Sequence, residues 1–248
     1  MAALAIGVLF FIAAFFSLMT ASTIYDANSA TAAQKTAFLA EQARNIASWY
    51  RFNIFTIDAN AGQVMPPGVS NQWVLTLLAS NRVNCNGQTY AHRYALVLPG
   101  SSGIATTMDV TTGNVTAGAS DQVQIVDGCR IGASMVRASQ NKAATLAGTL
   151  ENYFKGRELQ YGPQGNFFTN PSCGGMGEIQ CATNAGAQIL QPVLGVGALD
   201  CQDAYGNNMI FDNSSPAVNS TTPPYTARIG FNTPWGVTIW TEAITTRN

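Results

Sequence analysis

The chain opens on a block in which apolar positions are not interrupted by charge. From Met1 to Tyr25 no side chain is charged, and Asp26 is the first that is. About twenty apolar residues at 1.5 Å rise cover a hydrocarbon core of roughly 30 Å, so the run has the length of a spanning helix. A cleaved export signal carries a basic segment ahead of a shorter apolar core. Here no Lys or Arg precedes Lys35, and the run is expected to be kept.

From Asp26 to Tyr50 the pattern takes a helical period. Leu39, Ala43, Ile46 and Tyr50 recur at steps of four, three and four, while Lys35, Glu41 and Arg44 lie off that stripe. The segment is rich in Ala, Gln, Lys and Glu, which favour helix. The simplest reading is one helix of about 50 residues, roughly 75 Å long. It is apolar on every face over 1–25 and amphipathic over 26–52. A break at Asp26-Ala27-Asn28-Ser29, separating an anchor from a second helix, fits the same residues.

Beyond Tyr50 short apolar runs alternate with turn signals. YALVL (94–98) and VQIV (123–126) read as strands between PPG, NG, LPGSSG and VDG turns. WVLTLL (73–78) is short, with Ser70 or Asn71 available to cap a brief helix there. A second helix is expected over 134–155, with Leu146, Leu150, Tyr153 and Phe154 on its buried side and Gly156 as its stop. ARIGF (227–231) and GVTIW (236–240), separated by NTPW, read as a hairpin. The order predicts an α+β fold: a long N-terminal hydrophobic-to-amphipathic helix packed on an antiparallel, β-rich, disulfide-bearing head. A first β-rich module is placed at 53–133 and a second α+β module at 134–248, with a single elaborated domain equally open.

Composition sharpens this picture at two points. Only 10% of the residues are charged, against roughly 25% in an average soluble domain, which suits a chain that is exported or packed against copies of itself. A net charge of −1 supplies no counterion-release term for phosphate, so no nucleic-acid partner is indicated. Five cysteines, Cys85, Cys129, Cys173, Cys181 and Cys201, lie without C-x-x-C spacing, and His92 is the only histidine. Disulfides in an oxidising compartment are therefore expected rather than a zinc site. The preferred arrangement pairs Cys85 with Cys129 and two of the other three. The fifth is then free and buried or paired with another chain.

Motifs for chemistry are sparse. The sequence holds no P-loop, no G-x-G-x-x-G after a strand, no H-E-x-x-H and no G-x-S-x-G. Cys129 in GCR reads as a disulfide partner, not a nucleophile. His92, between Tyr90 and Tyr94, reads as a surface or partly buried strand residue. Asp200, Asp203 and Asp212, with Asn207 and Asn208 between them, form a weak candidate calcium loop; turn residues capping a disulfide-tied loop explain them more simply. Sequons at Asn114, Asn213 and Asn219 mark surface loops. No catalytic set, resident metal or cofactor is implied, and no enzyme activity is expected.

An uncharged N-terminal helix running into an amphipathic one, then a disulfide-bearing β-rich head, resembles the type IV pilin superfamily with its pseudopilins and minor pilins. DAYGNNMIF (203–211) is similar to the D-x-[WY]-G-N stretch of pseudopilin sheets. NKAATLAGTLENYFKGRELQYGPQGNFF (141–168) looks like the helix-to-loop passage of such proteins. The family carries a glutamate at the fifth residue of the mature chain, where this sequence has Ala5. Bitopic accessory proteins of type IVb pilus systems resemble the chain in their anchor and Ala/Gln-rich helix.

The resemblance implies a structural filament subunit that waits in the inner membrane and polymerises with copies of itself and other pilus components into a surface filament. In that reading Ala2, Ala3, Ala5, Gly7, Ala13 and Ala14 allow close helix approach, and Phe10, Phe11, Phe15 and Phe16 fill the gaps. The alternatives are a membrane-anchored periplasmic accessory protein, or a secreted enzyme or carbohydrate-binding module.

Overall fold

The computed structural model describes residues 2–69, 72–87, 89–163, 165–218 and 221–245, with backbone alone for 2–30 and 72. Among the described residues no helix is long and apolar enough to cross a membrane. The side chains expected to pack a filament core, Ala2 through Phe16, lie outside that description, as do the caps Ser70 and Asn71.

Helix α1 runs without interruption over Ala2–Ala59, about 87 Å at the helical rise. The stripe Leu39, Ala43, Ile46 and Tyr50 is buried and continues through Ile54 and Ile57. The four-and-three spacing is therefore maintained past the expected end at residue 52. Seven strands or ribbons follow: β1 (Thr76–Ala79), β2 (Val83–Asn84), β3 (Tyr90–Ala91), β4 (Arg93–Leu98), β5 (Thr107–Met108), β6 (Val115–Thr116) and β7 (Gln122–Asp127). The first sheet has the antiparallel order β1-β4-β7, with Leu96 opposite Leu77 on one side and Gln124 on the other. β4 carries the YALVL run, buried from Tyr94 to Leu98, as a central strand covered on both faces requires. Of WVLTLL only Trp73 and Val74 belong to a brief 3-10 turn (Gln72–Val74), distorted by φ of 64° and 57°, and Thr76–Ala79 pairs with β4. The indole of Trp73 receives the Lys35 ammonium of α1 at 5.3 Å.

Helix α2 spans Gly128–Tyr161, longer at both ends than the periodicity predicts. Its start is fixed by Asp127, whose carboxylate accepts the Cys129 N–H at 3.0 Å directly after β7. Gly156 does not stop it. The stop comes at Gly162, in the left-handed region at φ 78°, whose N–H bonds to the Glu158 carbonyl.

The remaining strands are β8 (Ala185–Gly186), β9 (Ile210–Asp212), β10 (Tyr225–Asn232) and β11 (Thr238–Thr245), ordered β11-β10-β9-β8 and antiparallel throughout. β10 and β11 form the expected hairpin with longer arms, pairing Tyr225 with Thr245 through to Asn232 with Thr238. A short helix α3 (Gln191–Leu194) lies between β8 and β9. The fold is α+β with antiparallel sheets and two disulfides, Cys85–Cys129 and Cys173–Cys181.

Two apolar cores result. In the first, α1 lies on the β1-β4-β7 sheet, and Ile131 of α2 joins it. In the second, Ala143, Leu146, Ala147, Leu150 and Phe154 of α2 cover the four-stranded sheet. Phe154 sits at its centre, 5.3 Å from Phe167, 4.8 Å from Phe168 and 5.9 Å from Tyr225 between ring centroids. Tyr205 packs against both cores and meets Phe55 of α1 edge-on at 5.3 Å. Burial of these rings supplies the largest apolar contribution per residue.

Candidate functional site

α1 joins the apolar N-terminal run to the head, so the site is built outward from the residues that fasten it. Tyr50 faces the first sheet, and its hydroxyl donates to Asp58 Oδ1 at 2.5 Å. The Tyr50 hydroxyl oxygen itself accepts the backbone N–H of His92 at 3.2 Å. His92 leaves the strand pairing between β3 and β4, where its ring can reach α1. Nδ1 stands 3.2 Å from Asp58 Oδ1, and Nε2 donates to the Gly62 carbonyl at 2.9 Å. Arg82 Nη1 donates to the Asp58 carbonyl at 3.1 Å. Tyr50, Asp58 and His92 are all sealed from solvent.

His92 is therefore neither a surface nor a partly buried strand residue. The alternation that placed it beside Tyr90 and Tyr94 breaks at the residue itself. Asp58, which completes the cluster, sits one position past a buried apolar residue, and no local spacing links it to His92.

The electrostatics follow from burial. The Tyr50 hydroxyl is pushed well above the usual phenol range, first by desolvation and then by the Asp58 carboxylate. Tyr94 and Tyr205 are pushed up as well, with desolvation the leading cause in both. Asp58 Oδ2, Tyr94 OH and Tyr205 OH have no hydrogen-bond partner within the described protein. Gly128 completes the packing. Its N–H donates to the His92 carbonyl at 3.0 Å. A Cβ there would stand 2.2 Å from that oxygen and 2.5 Å from the Tyr50 hydroxyl. The Cys85–Cys129 disulfide, with Cα atoms 5.7 Å apart, adjoins this point and binds the β2-β3 ribbon to the first turn of α2. The cluster and the disulfide together hold the end of α1, the sheet and α2 in one arrangement. Their chemistry is fastening.

The opposite face of α1 is open. Arg44, Arg51 and Phe52 are exposed and border a groove whose other wall includes Met135 of α2 and Tyr205. Neither arginine forms an ion pair among the described residues.

The aspartates of the candidate calcium loop are not gathered into one site. Asp200 accepts the Gly197 N–H at 2.8 Å. Asp203 is buried, and its Oδ1 accepts the N–H groups of Tyr205 and Asn207, both at 2.9 Å. Desolvation raises its pKa against those bonds. Asp212 lies on β9, paired with Arg228 at 2.8 Å. The carbonyls of Leu199 and Gln202 are taken by the Lys142 ammonium, at 3.2 and 2.9 Å. Among the described residues no group of three or more His, Cys, Asp or Glu side chains could hold a metal.

Cys201 is free and buried in the second core. Of the sequons, Asn114 is exposed. Asn213 is fully buried: its amide donates to Phe168 and Gln180 carbonyls at 2.7 and 3.0 Å and accepts the Ala182 N–H at 2.8 Å. It ties a loop, and is not a surface acceptor. Asn219 lies outside the described residues. No protein-family model matches the chain, and no curated protein or solved structure matches it either.

Proposed function

We propose that the chain is a structural subunit of an extracellular pilus-like filament, held in the inner membrane before assembly and polymerising through the apolar half of α1. One observation carries the reading. A single 58-residue helix begins in a charge-free run and ends clamped to a globular head, whose buried contacts on it start at Leu39. A helix of this form gives each copy one apolar rod and one rigid head, the two parts a helical polymer with a hydrophobic centre requires. Burial of about 1,000 Å2 of apolar surface per copy contributes roughly 25 kcal/mol before ordering entropy. The low charge of the head leaves lateral surfaces that pack without extensive desolvation of ions.

Negative-stain electron microscopy of material sheared from the surface of expressing cells tests the proposal, with intact-mass analysis of the same material. Filaments whose subunits retain the apolar run are expected. Gly7→Asp, which puts a charge into the rod, should abolish them. Filaments that persist in that variant, or subunits lacking residues 1 to about 23, would contradict it. Membrane-embedded protein without filaments would favour the accessory-protein alternative.

A further inference from the structure

We infer that a cleft at the C-terminal end of α2 binds a neutral hexose unit of a glycan, with Tyr161 as its stacking surface and Arg157 and Gln160 as its hydrogen-bonding groups. The inference goes beyond the filament reading and does not depend on it.

The cleft encloses about 580 Å3 and is lined by Arg157, Gln160, Tyr161, Phe167 and Met176, a size inside the roughly 300–1,000 Å3 of small-molecule sites. Two segments build it. On α2, Tyr153, Arg157 and Tyr161 recur at steps of four and so share one helical face. The Arg157 guanidinium stands 5.9 Å from the Tyr153 ring centroid and 4.7 Å from that of Tyr161. Opposite them comes the loop that follows the helix. Phe167 is buried, while Met176 remains about half exposed. The Cys173–Cys181 disulfide closes the part of the loop that carries Met176 and Glu178. The Tyr153 hydroxyl ties that loop to the helix by accepting the Glu178 N–H at 3.0 Å.

Three properties select the ligand. The first is charge. Among the described residues Arg157 is the one charged side chain lining the cleft, and its Nη2 pairs with Glu178 at 2.7 Å. A phosphate or carboxylate would have to displace Glu178 to gain the full charge. The second is polarity. Arg157 offers N–H donors in a fixed plane, and the exposed Gln160 amide both donates and accepts. An alkyl chain would cover these groups without satisfying them, which costs their desolvation. The third is the aromatic surface. Tyr161 is 47% exposed although its ring lies 6.4 Å from that of Phe167. A pyranose ring has an apolar C–H face and a rim of hydroxyls, which match an open ring beside planar polar side chains. The stack and the ion pair hold Arg157 in place before any ligand arrives, so binding orders little else.

The test uses the full-length chain in dodecylphosphocholine micelles, a detergent without a sugar headgroup. Saturation-transfer NMR is recorded with glucose, galactose, mannose and N-acetylglucosamine. Transfer to at least one of the four is expected, strongest at the C–H groups of one ring face. Tyr161→Ala should weaken that sugar about tenfold, the loss of one stacked ring, while Tyr161→Phe keeps the ring and should bind as the parent does. Gln160→Ala, at an exposed position, should weaken it about fivefold, the effect of one neutral hydrogen bond, and serves as the deciding variant if Tyr161→Ala does not fold. Transfer to none of the four sugars overturns the inference. So does binding that survives both alanine variants unchanged, or that Tyr161→Phe loses as fully as Tyr161→Ala. Displacement of the sugar by inorganic phosphate at constant ionic strength would reveal an anion site, and would overturn it too.

Discussion

Tyr50 and Asp58 stand eight residues apart on α1 and meet through a 2.5 Å hydrogen bond closed off from solvent. The bond directs the Asp58 carboxylate at His92, so the last turns of the helix are gripped by the sheet through one oxygen atom. A buried polar group with its partners fixes geometry; stripped of them it costs its full desolvation.

Asp58→Ala should therefore be among the most damaging substitutions in the first core. It leaves the Tyr50 hydroxyl without its acceptor and His92 Nδ1 without its neighbour in a dry site. Each buried polar group left unsatisfied costs about 1–3 kcal/mol, and here two are stranded at once. Tyr50→Phe removes one hydroxyl and should cost about 1–3 kcal/mol. Urea unfolding of both variants in detergent checks the order. A smaller loss for Asp58→Ala than for Tyr50→Phe would show that the carboxylate does not organise the cluster.

That cluster also marks where sequence reading stopped. The stripe from Leu39 to Tyr50 was legible because burial of one face imposes a helical period, and the strands around YALVL and VQIV and the C-terminal hairpin because short apolar runs there are bounded by turn residues. Their ends were not, because ends are set by single contacts: the Asp127 cap for α2, the left-handed Gly162 for its stop. The Asp58–His92 meeting is non-local, 34 residues apart, and carries no periodic signal. Phe167, Phe168 and Asn213 were hidden for the same reason. They lie in segments without regular structure, and only the fold shows that they are buried.

The two disulfides should contribute unequally. Cys85–Cys129 closes a 44-residue separation and Cys173–Cys181 one of 8. Loop-closure entropy then gives about 4 kcal/mol for the first and about 2.5 kcal/mol for the second. Paired Cys→Ser replacements, compared by unfolding midpoint, should show the larger loss at 85 and 129. The reverse order would mean that the short bridge restrains more than its own loop.

Acid should act through Asp212. Burial alone would raise its pKa, but hydrogen bonds from Ser215, Arg228 and Ser214 together outweigh that and hold the carboxyl below its ordinary range. A depressed folded-state pKa stabilises the fold above the unfolded value, near 3.9, and that contribution is lost as pH falls through the folded value. Asp212→Asn should accordingly be less stable than the parent at pH 7, and the gap should shrink as pH drops below about 4. Unfolding midpoints between pH 7 and 2.5 measure it. A gap that stays constant across that window would remove ionised Asp212 as its source.

Cys201 decides between two fates that the odd number of cysteines left open. It lies fully buried in the second core, its Sγ 3.4 Å from the Ala187 carbonyl. Desolvation pushes the thiol pKa up, which lowers the reactive thiolate fraction further. Iodoacetamide at pH 8 should leave the native chain unmodified on a timescale that labels an exposed thiol completely, because reaction must wait for opening of the core. With a stability of several kcal/mol that opening slows labelling by about 10^3-fold or more. Denatured without reductant, the same chain should take up one carbamidomethyl group, located at residue 201 by peptide mass mapping. Prompt labelling of native protein would place the thiol outside the core. No labelling after denaturation would mean that Cys201 is bonded to another chain, and that copies or partners are joined covalently through the second core.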